Sequence, residues 1–250
     1  MGGVMSERTA EADLARASEI LKLIPAEKRR GQLTDLLGDL RRLGVVPDCT
    51  VLLPLVRHKW WQVRWDAIGA LANCGSDPRT ETALLDVLEH TDDDYDRINA
   101  NAALSECGTT RAIPALAAQI HHAKDDVKCS AINALSEVGD ASVLPILLDA
   151  FADRSAVAKW YAMIAIDRHG DERAIEPVCD RVRVILARRR QRIQAPRSEL
   201  LAALQFLARH PADARSQVTL AWVAGKRLAY LTEDEAHWVT GQLSHTESPR

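Results

Sequence analysis
The sequence predicts an all-α fold, a solenoid of stacked helical hairpins, on three observations. Strand signals are nearly absent: β-branched alternation is rare, aromatic residues make up 4% of the chain, and no Asn-Gly or Asp-Gly dipeptide marks a hairpin. Apolar residues recur at i, i+4 and i+7 or i+8, the period of one helical face. A third signal is internal repetition at near-constant spacing, which marks a repeat architecture.

Taken in order, residues 1–7 are expected to be disordered, as chain ends commonly are. Residues 8–24 and 26–43 carry amphipathic leucine patterns broken at Pro25, so 8–44 reads as an opening helical pair, a cap or degenerate repeat. The repeats occupy 45–170. The segments VRWDAIGALANCG, DRINANAALSECG, VKCSAINALSEVG and AKWYAMIAIDRHG align without gaps, ending at Gly75, Gly108, Gly139 and Gly170. One column holds Ala67, Ala100, Ala131 and Ala162, a second Leu71, Leu104, Leu135 and Ile166, and a third the bases Arg64, Arg97, Lys128 and Lys159. Between them lie CTVLLPLVRH, TETALLDVLEH, RAIPALAAQIHH and SVLPILLDAFAD, with Pro54, Pro114 and Pro145 in three of the four. Proline is tolerated in a first helical turn, whose amides have no intrahelical acceptor, so each unit reads as two helices. Small alanines let the second helices approach closely. The recurring glycine is expected as a left-handed residue ending each helix, and Asp140 and Asp171 as caps of the next.

The Leu-Pro-x-Leu helix, the acidic turn, the Val-Arg-x-x-Ala-x-x-Ala-Leu helix and the Gly-Asp that follows resemble the HEAT-repeat family, in particular short bacterial repeats similar to those of phycobilisome lyases. The resemblance implies a right-handed α-solenoid whose first helices line the convex side and whose second helices line the concave side. It also implies a ladder in which the turn acid pairs with the Val-Arg base, here Asp126 with Lys128 and Asp93 or Asp94 with Arg97. The first repeat departs from the pattern, because its turn reads Lys59-Trp60-Trp61-Gln62 and offers no acid to Arg64; the fourth has Ala158-Lys159 in place of Val-Arg.

Residues 171–243 are expected to continue or cap the solenoid, with a long helix over 172–194 and about three more divided by Pro196, Pro211 and the cap signal Thr232-Glu-Asp-Glu. Residues 244–250 are expected to be disordered.

Composition narrows the function. A net charge of −3 does not suit a dedicated nucleic-acid binder, and no run of eighteen apolar residues suggests a membrane span. The opening residues contain no apolar signal core, so the expected compartment is the cytoplasm. Five cysteines without a C-x-x-C pair read as small buried hydrophobes. His58, His90 and His121-His122 sit at successive helix ends, where a cation complements the helix dipole; ligands on repeats stacked about 10 Å apart do not converge on one ion, so no metal or other cofactor is expected. Walker, G-x-G-x-x-G and G-x-S-x-G motifs are absent, so no catalytic residues are expected.

Two surfaces stand out. Trp60, Trp61 and Trp65 crowd into the first repeat of an aromatic-poor chain and read either as a seal against the N-terminal helices or as a contact for a partner, since tryptophan dominates interface hot spots. On the second helices, Asp66, Asn99, Ser130 and Tyr161, with Asn133, Glu106 and Glu137 in the following phase, are expected to line the concave groove. Their mixed polarity suits a protein or peptide better than a phosphate backbone. The second surface is an acid-free run, with Arg181, Arg188, Arg189, Arg190 and Arg192 flanking an apolar stripe; it reads as a solvated structural helix or as a basic patch for an acidic partner or nucleic acid. The expected function is that of a non-enzymatic scaffold or adaptor binding a protein or peptide, with no membrane association. The alternatives are a nucleic-acid-associated protein, including one similar to the HEAT-like alkylpurine DNA glycosylases on the strength of Trp65-Asp66, and a subunit similar to bilin lyases.

Overall fold
A computed structural model describes residues 2–75, 77–187 and 198–246, with side chains described from residue 10 to residue 242 of these. Among the described residues the chain is built from helices and turns, without strands. It divides into two compact units, Met1–Asp140 and Ala141–Arg250, so the division falls inside the segment 45–170 read as one array.

The first unit opens with α1 (Gly2–Leu23), whose helical backbone includes most of the segment expected to be disordered, and α2 (Arg30–Leu43). Pro25 lies in a 3-10 turn between them. Gly44 ends α2 in the left-handed conformation, φ 67° and ψ 12°, its N–H donating to the Arg41 carbonyl. Then come α3 (Trp61–Leu71), α4 (Pro78–His90), α5 (Asp94–Cys107), α6 (Ile113–Ala117) and α7 (Asp125–Val138). Helix α2 packs on α3, α3 on α5 and α5 on α7. The repeat columns are the reason: Ala67, Ala70 and Leu71, Ala100 and Leu104, and Ala131, Ala134 and Leu135 have no exposed surface. Each such leucine contributes about 2 kcal/mol of apolar burial, and the alanines set the close spacing.

Two expectations for these repeats are corrected. The first helix expected over 49–58 is only a 3-10 stretch, Leu53–Arg57. Pro54 offers no N–H to the Thr50 carbonyl, and the Asp48 carboxylate accepts from the Thr50 N–H at 3.0 Å and hydroxyl at 2.6 Å, which holds the segment in a turn. Three of the four repeat glycines, moreover, are not left-handed caps, while Gly75 ends its segment with a positive φ of 66°. Gly108, Gly139 and Gly170 have φ of −76°, −86° and −72°. At Gly108 a Cβ would stand 2.5 Å from the Leu104 carbonyl oxygen, and at Gly170 2.5 Å from that of Ile166 and 2.7 Å from the Phe206 ring. Glycine is needed there for close approach, not for its sign of φ.

The second unit contains α8 (Leu144–Phe151), α9 (Ala156–His169), α10 (Ile175–Leu186), α11 (Glu199–Ala208), α12 (Ala214–Lys226) and α13 (Glu233–Thr246). Side-chain caps start its helical segments: Ser155 on the Ala158 N–H, Asp171 on that of Arg173, Ser198 on that of Leu201 and Asp213 on those of Arg215 and Ser216. Thr232 and Glu235 form a reciprocal capping box at α13. Of the long helix expected over 172–194, the described part is a 3-10 turn at 172–174 followed by α10, with the Ala187 N–H on the Val184 carbonyl at its end; residues 188–194 lie outside the described residues.

Candidate functional site
The N-terminal turns of α3 and α5 enclose a groove of about 810 Å³ lined by Trp61, Gln62, Trp65, Asp66, Asp93, Tyr95 and Asp96. Its position follows from the first-repeat turn. With no acid of its own, Arg64 reaches forward to the next repeat, donating to Asp96 Oδ2 at 2.6 Å and Asp93 Oδ2 at 3.1 Å, and a third hydrogen bond goes to the His58 carbonyl. The fan ties the two turns together. Trp61 then stands 57% exposed at the first position of α3, and Tyr95 stands 69% exposed in the first turn of α5. Asp93 caps α5 on the Tyr95 N–H, which fixes where that residue begins the helix.

The far side of Asp66 is also held. Its Oδ1 accepts from Arg41 of α2 at 3.0 Å. Arg41 lies across Gly69, where a Cβ would come within 2.5 Å of its Nε. Asp96 is buried, and burial pushes its carboxyl above the usual carboxylate range against the opposing pull of Arg64.

The expected base–acid ladder is therefore corrected. Arg97 donates to the Thr91 carbonyl, while Asp93 serves Arg64 and Asp94 serves Lys124 and His122. Lys128 pairs with Asp125 at 3.3 Å.

Of the residues expected to bind a partner, the structure brings Trp61, Trp65 and Asp66 into this groove. Trp60 is half-buried outside it, its ring 5.0 Å from that of His58 and under the Lys59 ammonium. Asn99 is buried, donating to the Trp65 carbonyl at 2.7 Å, and half-buried Ser130 accepts from Asn101 at 2.9 Å. Neither lines this groove, and each ties back to the preceding helix of the stack, as Asp66 does with Arg41. Glu106, Asn133 and Glu137 are exposed on α5 and α7 outside the groove. Tyr161 belongs to the second unit, half-buried with its ring edge-on to Trp160 at 4.7 Å. Sequence reasoning missed Tyr95, Asp93 and Asp96 as site residues; the signal was an aromatic inside the acidic run 92–96.

In the arginine-rich run, Arg181 is held by Glu199 of α11 at 2.6 and 3.0 Å. Arg188, Arg189, Arg190 and Arg192 lie outside the described residues. A different arginine, Arg227, is stacked between Trp222 at 4.8 Å and Tyr230 at 5.0 Å in the second unit.

Among the described residues no group of three or more His, Cys, Asp or Glu is placed to hold a metal ion, and no helix is long and apolar enough to cross a membrane. The cysteines are free thiols, four buried and Cys74 half-buried. Burial pushes Cys74 up to about 12 and Cys107 up to about 11, leaving both un-ionised at neutral pH.

The stacked hairpins define an α-solenoid of the helical-repeat class. Residues 81–167 match the family of HEAT repeats, and this stretch is HEAT-repeat sequence. Two crystal structures of engineered proteins from the Northeast Structural Genomics Consortium share the fold at 18% identity. One has a TM-score of 0.53 over 81% of this chain and 97% of the other; the second has a TM-score of 0.56 over 94% and 69%. A structure of human deoxyhypusine hydroxylase in complex with glycerol aligns at 15% identity over 97% of this chain and 99% of that one, with a TM-score of 0.41, too loose to bear on function. No curated protein matches the chain.

Proposed function
We propose that this protein is a non-enzymatic HEAT-like scaffold or adaptor that binds a protein or peptide, and that the groove at the starts of α3 and α5 is its principal contact. The observation that carries this reading is the pair of exposed aromatics, Trp61 and Tyr95, standing over a groove of about 810 Å³ in a chain with 4% aromatic residues. Rigid aromatic rings on helical supports bury a large area on binding with little entropy to lose, which suits them as interface anchors. The lining contains no lysine or arginine, so it does not suit a phosphate backbone. In the nucleic-acid reading, the one described arginine of the proposed patch, Arg181, is already paired with Glu199.

The test is affinity capture with the intact protein, identification of what is retained by mass spectrometry, and titration of the purified partner against wild type and Trp61→Ala. Weaker binding with an unchanged helical signal supports the reading. Undiminished affinity, or retention on DNA that falls steeply with salt while Trp61→Ala has no effect, overturns it.

A further inference from the structure
We infer that the groove between the first turns of α3 and α5 receives a basic side chain, lysine or arginine, carried on an extended segment of the partner. This rests on the protein-binding reading above and names its chemistry. The lining is three aromatic rings, three carboxylates and the Gln62 amide, with no cation among them. The two arginines that neutralise part of this charge stand outside the lining. Arg41 comes from α2 across Gly69, and Arg64 lines an adjoining cavity of about 360 Å³ with Arg57, Asp86 and His90, which shares Asp93 and Asp96 with the groove. Counting both, the assembly still carries net negative charge.

Acceptor capacity is left over as well. Asp66 engages Arg41 through Oδ1, and Asp96 engages Arg64 and Thr91 through Oδ2. The second oxygen of each accepts no hydrogen bond from the described residues.

An apolar occupant would cover these carboxylates without a partner, a desolvation cost with no return. An acidic one meets like charge. A lysine or arginine gains the aromatic faces through the cation–π attraction and the spare oxygens through charge-assisted hydrogen bonds. The groove is partly open between two helix starts, so an extended segment can lie outside it and send one side chain in. The chain makes the same kind of contact internally, where Arg227 lies between Trp222 and Tyr230.

The experiment measures the anisotropy of a fluorescein-labelled octapeptide of alternating lysine and glycine titrated with the full-length protein. Its Nε-acetylated and glutamate counterparts are titrated alongside. The expected result is saturable binding of the lysine peptide, at least tenfold weaker binding of the acetylated one and none of the glutamate one. Trp61→Ala and Tyr95→Ala should each weaken lysine-peptide binding roughly three- to tenfold, as loss of one cation–π contact does, and Asp66→Asn should weaken it too. Both aromatics are more than half exposed, so truncating them leaves the helical signal unchanged; a variant that loses that signal would itself overturn the assignment of its residue to a free surface. Equal binding of the acetylated peptide, or indifference to both aromatic variants, overturns the inference. Should the captured partner depend on Trp61 yet resist competition by excess lysine peptide, the occupant is not basic and the groove reading alone survives. If the partner ignores Trp61→Ala, the groove reading itself falls.

Discussion
Arg64 is the residue on which the site geometry turns. It has a side-chain exposure of 19%, and its main acceptor, Asp96, has one of 7%. Removing one member of a largely buried pair leaves the other charge uncompensated, so Arg64→Ala should cost about 2–3 kcal/mol in urea denaturation. The pH dependence has a definite sign. Burial raises the folded-state pKa of Asp96 above its unfolded value, so the favourable contribution of its protonated form is complete below the ordinary carboxylate range and is lost as pH rises through the raised value. Without Arg64 that value rises further, and the stability gap between wild type and Arg64→Ala should be larger at pH 7 than at pH 4. The caps behave in the opposite way. Hydrogen bonds from the Arg215 side chain, then the Ser216 amide, hold the Asp213 carboxyl below its usual range. Its contribution is present above the ordinary carboxylate pKa and disappears as pH falls through the lowered one. Asp213→Ala should therefore lower Tm at pH 7, with the difference shrinking as the titration proceeds from pH 5 towards pH 2.

At the scale of the element, the helices are held by small residues in a seam and by ties across it. Ala100 and Ala131 are fully buried between helices, whereas Asn133, two residues from Ala131 on α7, is exposed. Ala100→Leu and Ala131→Leu should each cost about 1–3 kcal/mol by overpacking, and Asn133→Ala should fall within about 0.5 kcal/mol of wild type. Equal effects would place the helix phase wrongly. The glycines separate two physical causes. At Gly44, with φ 67°, alanine is strained by its backbone alone and should cost about 1 kcal/mol. At Gly108 the backbone suits any residue, but a Cβ would collide with the Leu104 carbonyl. That oxygen is backbone and can yield only if the α5 terminus itself shifts, with Val138 Cγ1 a further neighbour at 3.1 Å, so unfolding of Gly108→Ala should show the larger loss.

At the scale of the whole molecule, helices that contact mainly their neighbours give a stability that varies along the chain. Helix α5 is packed against α3, α4 and α7, whereas α1 has its packing on α2 and the adjoining turn. Amide hydrogen exchange in the intact protein should accordingly be slowest in α5 and α7 and fastest, within the first unit, in α1. Uniform protection across all of them would contradict this neighbour-limited packing.

Helix identity was legible in the sequence because it depends on spacing within a dozen residues, and the buried alanine and leucine columns were legible because the same segment recurs every 31 to 33 residues. So was part of the site, since Trp61, Trp65 and Asp66 lie within one and a half turns of a single helix. The remainder needed the third dimension. Tyr95, Asp93 and Asp96 are some thirty residues from Trp65, and only the packing of α3 on α5, drawn tight by Arg64, makes them walls of the same groove. Asn99 and Ser130 share a repeat column with Asp66, yet whether a column faces a groove or the preceding helix depends on the rotation of each helix about its axis. Periodicity specifies which residues share a face, and the contacts between helices decide what that face meets.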